Sequence, residues 1–147
     1  MLPLRDNIRS KKFPVVNVGI IISCVIVFFL QLQAGGGQGW AFKPAMLVPW
    51  RGPGVAEALG ALILSMFMHG GLGHIGGNML FLWVFGDNIE DRMGHVKYLA
   101  FYLICGVIAT LAHSLFALVT GTAEMSLVGA SGAIAGVLGA YLVLFKQ

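Results

Sequence analysis

The stretch SLVGASGAIAGVLGAYLVLF, residues 126–145, decides how this chain is read. Its far half is the apolar run of a membrane-spanning helix. Its near half carries a hydroxyl, Ser131, set between Gly129 and Gly132, and a polar group in hydrocarbon is costly unless it has a partner or a task. Gly132, Gly136 and Gly139, with Ala135 and Ala140, form a small-residue face, and the Gly132/Gly136 pair has the spacing at which two helices approach closely. Packing accounts for those glycines, and within this stretch alone it also accounts for Ser131.

The rest of the chain supplies the solvent. Of 147 residues 58% are hydrophobic and only 10% charged, a composition that excludes an ordinary water-soluble domain and requires a bilayer. Charge-free runs are long enough to cross about 30 Å of hydrocarbon, which takes about 20 helical residues. The expected fold class is an all-α, polytopic integral membrane bundle forming one domain over 1–147, with spans near 15–34, 72–93, 98–122 and 127–145. Residues 58–71, which lead into the loop-like HGGLGH, are expected at the interface. A basic start followed by an apolar run also fits a signal peptide, but this run exceeds the roughly 7 to 15 residues of a signal core. Cys24 and Cys105 fall in different spans and read as small buried apolar residues.

Charge sets the orientation. Arg5, Arg9, Lys11, Lys12, Arg92, Lys97 and Lys146 fall on one side of these spans, and Lys43 and Arg51 on the other. The positive-inside rule then predicts a cytoplasmic amino terminus, with 40–71 and 120–124 external, in a bacterial inner membrane or plasma membrane. The net charge of +3 is a topology signal, and no basic cluster points to nucleic acid. Trp40, Phe42 and Trp50 among Pro44, Pro49 and Pro53 read as an interfacial loop in which aromatic rings sit at headgroup level and prolines prevent a straight helix. At the other end of span 2, Glu90 and Arg92 are placed to pair or to bond the carbonyls that end the helix.

Span 2 gives Ser131 company. His74 and Asn78 are four residues apart and share a helix face, with Gly76 and Gly77 beside them to admit a neighbouring backbone. Spans 2 and 4 start on the same side, so His74, Asn78 and Ser131 lie at one depth. A serine becomes a nucleophile beside a base, and the oxyanion it generates needs donors. The His74 ring, the Asn78 amide and free backbone N–H groups at a helix start are such donors. A polar packing knot, a metal site and a proton or solute pathway compete with this reading. His69 and His74, five apart without thiols or a carboxylate on the same face, argue against a metal. His113 is the one ionisable group in mid-span, too few for a carrier.

HGGLGHIGGN with His74 and Asn78, then GDNIEDRMG, then GASG opening a later helix, in that order, resembles the rhomboid intramembrane serine proteases from about residue 40 to 145. The resemblance implies cleavage of transmembrane segments of other membrane proteins by a serine-histidine dyad, with no cofactor or metal. Residue by residue it implies Ser131 as nucleophile, Gly129 as the first glycine of GxSG, and His74 and Asn78 as the oxyanion pair. His69 matches a histidine that shapes the external loop, and Glu90 with Arg92 match the ExR motif. The family core has six spans with its general-base histidine on the last. Four are expected here, so the base is expected beyond Gln147, and His113 is expected too deep to serve. Ala135 stands where some members carry a tyrosine. The alternative function is a non-catalytic rhomboid-like protein that binds membrane segments.

Overall fold

The computed structural model describes residues 12–48, 50 and 52–145; Arg5, Arg9, Lys11, Pro49, Arg51 and Lys146 lie outside them. The described residues are helical with no strand, and a single antiparallel bridge joins Phe42 to Leu127. Helix α1 runs Val15–Gln33, and the following segment makes two short 3-10 turns, Gln38–Trp40 and Pro44–Leu47, in place of a helix. Helix α2 covers Val55–Ser65. Helices α3 (Leu72–Phe81) and α4 (Asp87–Met93) are joined without a break by a π-helical turn, Leu82–Gly86, and α5 (His95–Thr120) and α6 (Ser131–Leu144) follow. Among the described residues two helices, α1 and α5, are long and apolar enough to cross a bilayer by themselves, whereas α2 and α6 are shorter apolar helices.

The helices are apolar on both faces, but differently. Along α1 the inward residues are Asn17, Ile20, Cys24, Phe28 and Gln31, a three-to-four-residue stripe with an amide near each end. Outward stand Ile22, Ile26 and Phe29, and on α5 Ile104, Ile108 and Leu115. Large apolar side chains turned outward with amides turned inward suit hydrocarbon as the surrounding medium. Cys24 is buried and Cys105 half-buried, and both thiols are free.

Helix α6 lies against α5 in an antiparallel seam built by small residues. A Cβ on Gly136 would stand 2.5 Å from the Cys105 sulfur, and one on Gly132 2.5 Å from the Ala109 methyl. Both glycines are therefore needed for the helices to come this close. By contrast nothing lies within 4 Å of such a position on Gly76 or Gly77, so the face expected to admit a neighbouring backbone is open among the described residues.

At the far end from Ser131, polar groups tie three helices together. The Glu90 carboxylate is buried and accepts from the amides of Val16 (2.9 Å) and Asn17 (2.7 Å). These are among the first N–H groups of α1, which have no partner within the helix, and an anion there also suits the helix dipole. His95 contacts the same carboxylate. The Asn17 side chain donates to the Leu82 carbonyl in the π turn (2.9 Å) and accepts from the Tyr98 hydroxyl (2.8 Å). Glu90 thus bonds the start of α1, while Arg92 is exposed and makes no ion pair with it among the described residues. The expected Glu90–Arg92 pairing gives way because two unpaired buried amides are the stronger claim on a buried carboxylate.

Candidate functional site

Helix α6 begins at Ser131, four residues later than the expected span at 127, because the preceding residues are committed elsewhere. The Leu127 amide donates to the Phe42 carbonyl (2.8 Å), and the Gly129 amide to the Ser65 carbonyl (2.9 Å). Gly129 has φ +131°, a region that side chains with a Cβ rarely adopt. These bonds hold the segment extended, so Ser131 is the first helical residue, with an exposed side chain. The first bond of the helix runs from the Ile134 amide to the Ala130 carbonyl. Among the described residues the amides of Ser131, Gly132 and Ala133 therefore have no acceptor within the helix, at the positive end of the α6 dipole.

His74 reaches the same place from α3. A Cβ on Gly129 would lie 2.9 Å from His74 Cε1, 3.0 Å from its Nε2 and 3.6 Å from Ser131 Oγ. The imidazole and the hydroxyl converge on one glycine. The Gly70 amide donates to His74 Nδ1 (3.3 Å), so that nitrogen carries no proton and the neutral ring bears its hydrogen on Nε2. His74 therefore presents an N–H toward Gly129. Asn78 follows one turn along α3, half-buried, with its Nδ2 buried and taking no acceptor among the described residues.

His69 braces this arrangement. Its backbone is clamped by the Gln31 side chain, whose Oε1 accepts from the His69 amide (3.0 Å) and whose Nε2 donates to the His69 carbonyl (3.2 Å). Its ring Nδ1 lies 3.1 Å from the Phe67 carbonyl, which only accepts, so Nδ1 holds the proton. The ring meets His74 edge-on, centroids 5.2 Å apart. Burial, and second the neighbouring His74, push its pKa down to about 4 despite the Phe67 bond. His69 is a neutral buried imidazole that shapes the turn into α3.

A cavity of about 270 Å³ opens beside Ser131, lined also by Ser65, Thr110, Gly129, Gly132 and His113. His113 thus lines the same cavity as Ser131, at a level the residue count did not give it. Counting residues from the end of α5 misjudged it, because α5 runs on past the start of α6 and the two helices overlap antiparallel. The sequence reading also missed Gln31 and Ser65. Gln31 had a legible signal, an amide in an apolar helix; the Ser65 contact is through its backbone and had none.

The described residues thus form an all-helical bundle with long apolar helices, in which a serine at a helix start and a histidine ring lie against one glycine. The rhomboid domain model matches residues 56–147. The human presenilin-associated rhomboid-like protein, mitochondrial, is 40% identical over 126 residues, covering 83% of this chain and 31% of its own length. The Bacillus subtilis protein named "Putative rhomboid protease YdcA" is 30% identical over 149 residues, covering 95% of this chain and 71% of its own. RHOMBOID-like protein 1 of Arabidopsis thaliana is 36% identical over 119 residues, covering 70% and 29%. The chain spans between 20% and 31% of the presenilin-associated relatives from zebrafish and human. No solved structure is significantly similar. The chain belongs to the rhomboid family, and it is a membrane protein.

Proposed function

We propose that the protein is an intramembrane serine endopeptidase that cuts transmembrane segments of other membrane proteins, with Ser131 as its nucleophile. The observation that carries this reading is the convergence of the His74 ring and Ser131 Oγ on Gly129. Ser131 Oγ attacks the substrate carbonyl and its proton passes to a base. The oxyanion is held by His74 Nε2–H, Asn78 Nδ2–H and the Ser131 amide, assisted by the α6 dipole. The Nδ1 bond from Gly70 fits His74 for donation and, in the neutral ring, leaves no lone pair on Nε2 with which to take a proton. The base is therefore a different group, and the family resemblance implies a histidine on a later helix. Water then hydrolyses the acyl-enzyme. The orientation proposed is amino terminus cytoplasmic, with four spans in this sequence and Ser131 near the external face; YdcA's name as a protease supports the class of activity.

Fluorophosphonate labelling of the full-length protein in liposomes tests the assignment. Covalent mass on Ser131, lost in Ser131→Ala, is the expected result. An unlabelled Ser131 in a protein that binds a transmembrane peptide equally well with and without the hydroxyl supports the binding reading instead.

A further inference from the structure

A π-helical turn is rare inside a continuous helix, and the one at Leu82–Gly86 lies between His74 and Asn78 on α3 and Glu90 on α4. Its effect is a change of rotational register. An unbroken α-helix from His74 to Glu90 would set the two side chains about 160° apart around its axis, whereas the extra residue of one π turn brings this to about 60°. Both side chains can then turn toward the bundle, Glu90 to the start of α1 and His74 to Gly129.

Asn17 spans this turn from end to end. Its side-chain Nδ2 donates to the Leu82 carbonyl at the start of the turn (2.9 Å). At the other end a Cβ on Gly86 would overlap the same amide, 2.6 Å from Asn17 Cγ and 2.8 Å from its Nδ2. Gly86 has ordinary helical dihedrals, φ −68° and ψ −38°, so the Asn17 amide, and not the backbone, calls for a glycine there. Beyond the turn, the Asn17 backbone amide donates to Glu90 Oε2 (2.7 Å). One buried residue of α1 therefore holds both sides of the turn, α3 through its side chain and α4 through its backbone. Asn78 and His74 lie one and two turns before Leu82 on the same face, so any rotation of α3 at Leu82 is carried to both.

Resting on the Ser131 reading, we infer that Asn17 is a positioning residue for the oxyanion pair: by bridging the π turn it sets the rotation of α3 that aims the His74 N–H and the Asn78 amide at the oxyanion. Without the bridge the turn tightens toward α-helix, which swings both donors around the axis and away from Ser131. Asn17 stands at the start of α1, whereas Gln31, near the opposite end, is the residue beside His69. Loss of Asn17 therefore spares substrate binding and weakens the transition state alone.

The test measures kcat and KM of the full-length protein in liposomes with a fluorogenic transmembrane substrate, alongside thermal unfolding. Asn17→Ala removes the bridge, and Gly86→Ala pushes the amide off the turn with Asn17 itself intact. Each should lower kcat by about tenfold to a hundredfold, the cost of a misplacement on the order of 1 Å, with KM unchanged. Tyr98→Phe is the control: it loses the bond to Asn17 Oδ1 but leaves the Leu82 bond, so it unfolds more readily and keeps its kcat. With His74→Ala and Asn78→Ala both in place, neither side-chain donor remains to be aimed, and adding Asn17→Ala should lower kcat no further. Wild-type kcat in folded Asn17→Ala or Gly86→Ala overturns the proposal. So does a loss in Tyr98→Phe as large as that in Asn17→Ala, which makes stability the cause. If Asn17→Ala does not fold, Gly86→Ala decides by the same criterion. Cleavage that survives in Ser131→Ala overturns the underlying Ser131 reading, a separate result.

Discussion

The His74 ring rests on the Gly129 backbone, with Cε1 2.9 Å and Nε2 3.0 Å from the point a Cβ on Gly129 would occupy. Only hydrogen fits there, and φ +131° asks for glycine independently. Gly129→Ala therefore pushes His74 away from Ser131 and strains the backbone by about 1–3 kcal/mol. Proteolytic activity should fall by on the order of a hundredfold or more while the protein still inserts and folds. Near-normal turnover in Gly129→Ala would show that the contact has no functional weight.

His74→Ala and Asn78→Ala should each lower turnover by about 10²–10³-fold, the cost of one oxyanion donor. Substrate binding and thermal stability stay near wild type. Collapse of the fold in either variant would instead mark these residues as a packing knot.

Protonation of His69 opposes folding. Its folded pKa lies near 4, below the ordinary value of 6.5, so below pH 6.5 the unfolded chain binds the proton more readily than the folded one. The stabilisation is complete above about pH 6.5 and is lost as pH falls toward 4. Resistance to detergent unfolding, measured from pH 7 to 4, should decline across that window in wild type and decline less in His69→Gln. Parallel curves would remove His69 as the cause.

Much of this was legible in the sequence. The apolar runs required helices, and the histidine of HxxxN and the serine of GxSG are the two residues that meet at Gly129. What stayed hidden depended on three-dimensional register. A fixed residue count cannot show that α5 overlaps α6 far enough to bring His113 beside Ser131. Nor can it show that Glu90, read as a partner for Arg92, spends its carboxylate on the start of α1. Asn17 carried a signal, being a lone amide in an apolar helix, but its partners Leu82 and Tyr98 belong to two other helices.

The node at Asn17 makes its own prediction. Tyr98→Phe and Asn17→Ala should each destabilise the bundle by about 0.5–1.5 kcal/mol or more, and the double variant by less than the sum, since both remove the 2.8 Å bond. Strict additivity in a double-mutant cycle would contradict that bond. Glu90→Gln should cost more, by about 1.5–3 kcal/mol, because one of the two amides then faces an NH2 that cannot accept and the other bond loses its charge.

Cleavage of a transmembrane substrate by the full-length protein in liposomes, wild type against Ser131→Ala, is the most direct test of the central claim. Cleavage by wild type and none by Ser131→Ala, with the variant still folded and still binding the substrate, is the predicted result. Equal cleavage by both would contradict Ser131 as the nucleophile.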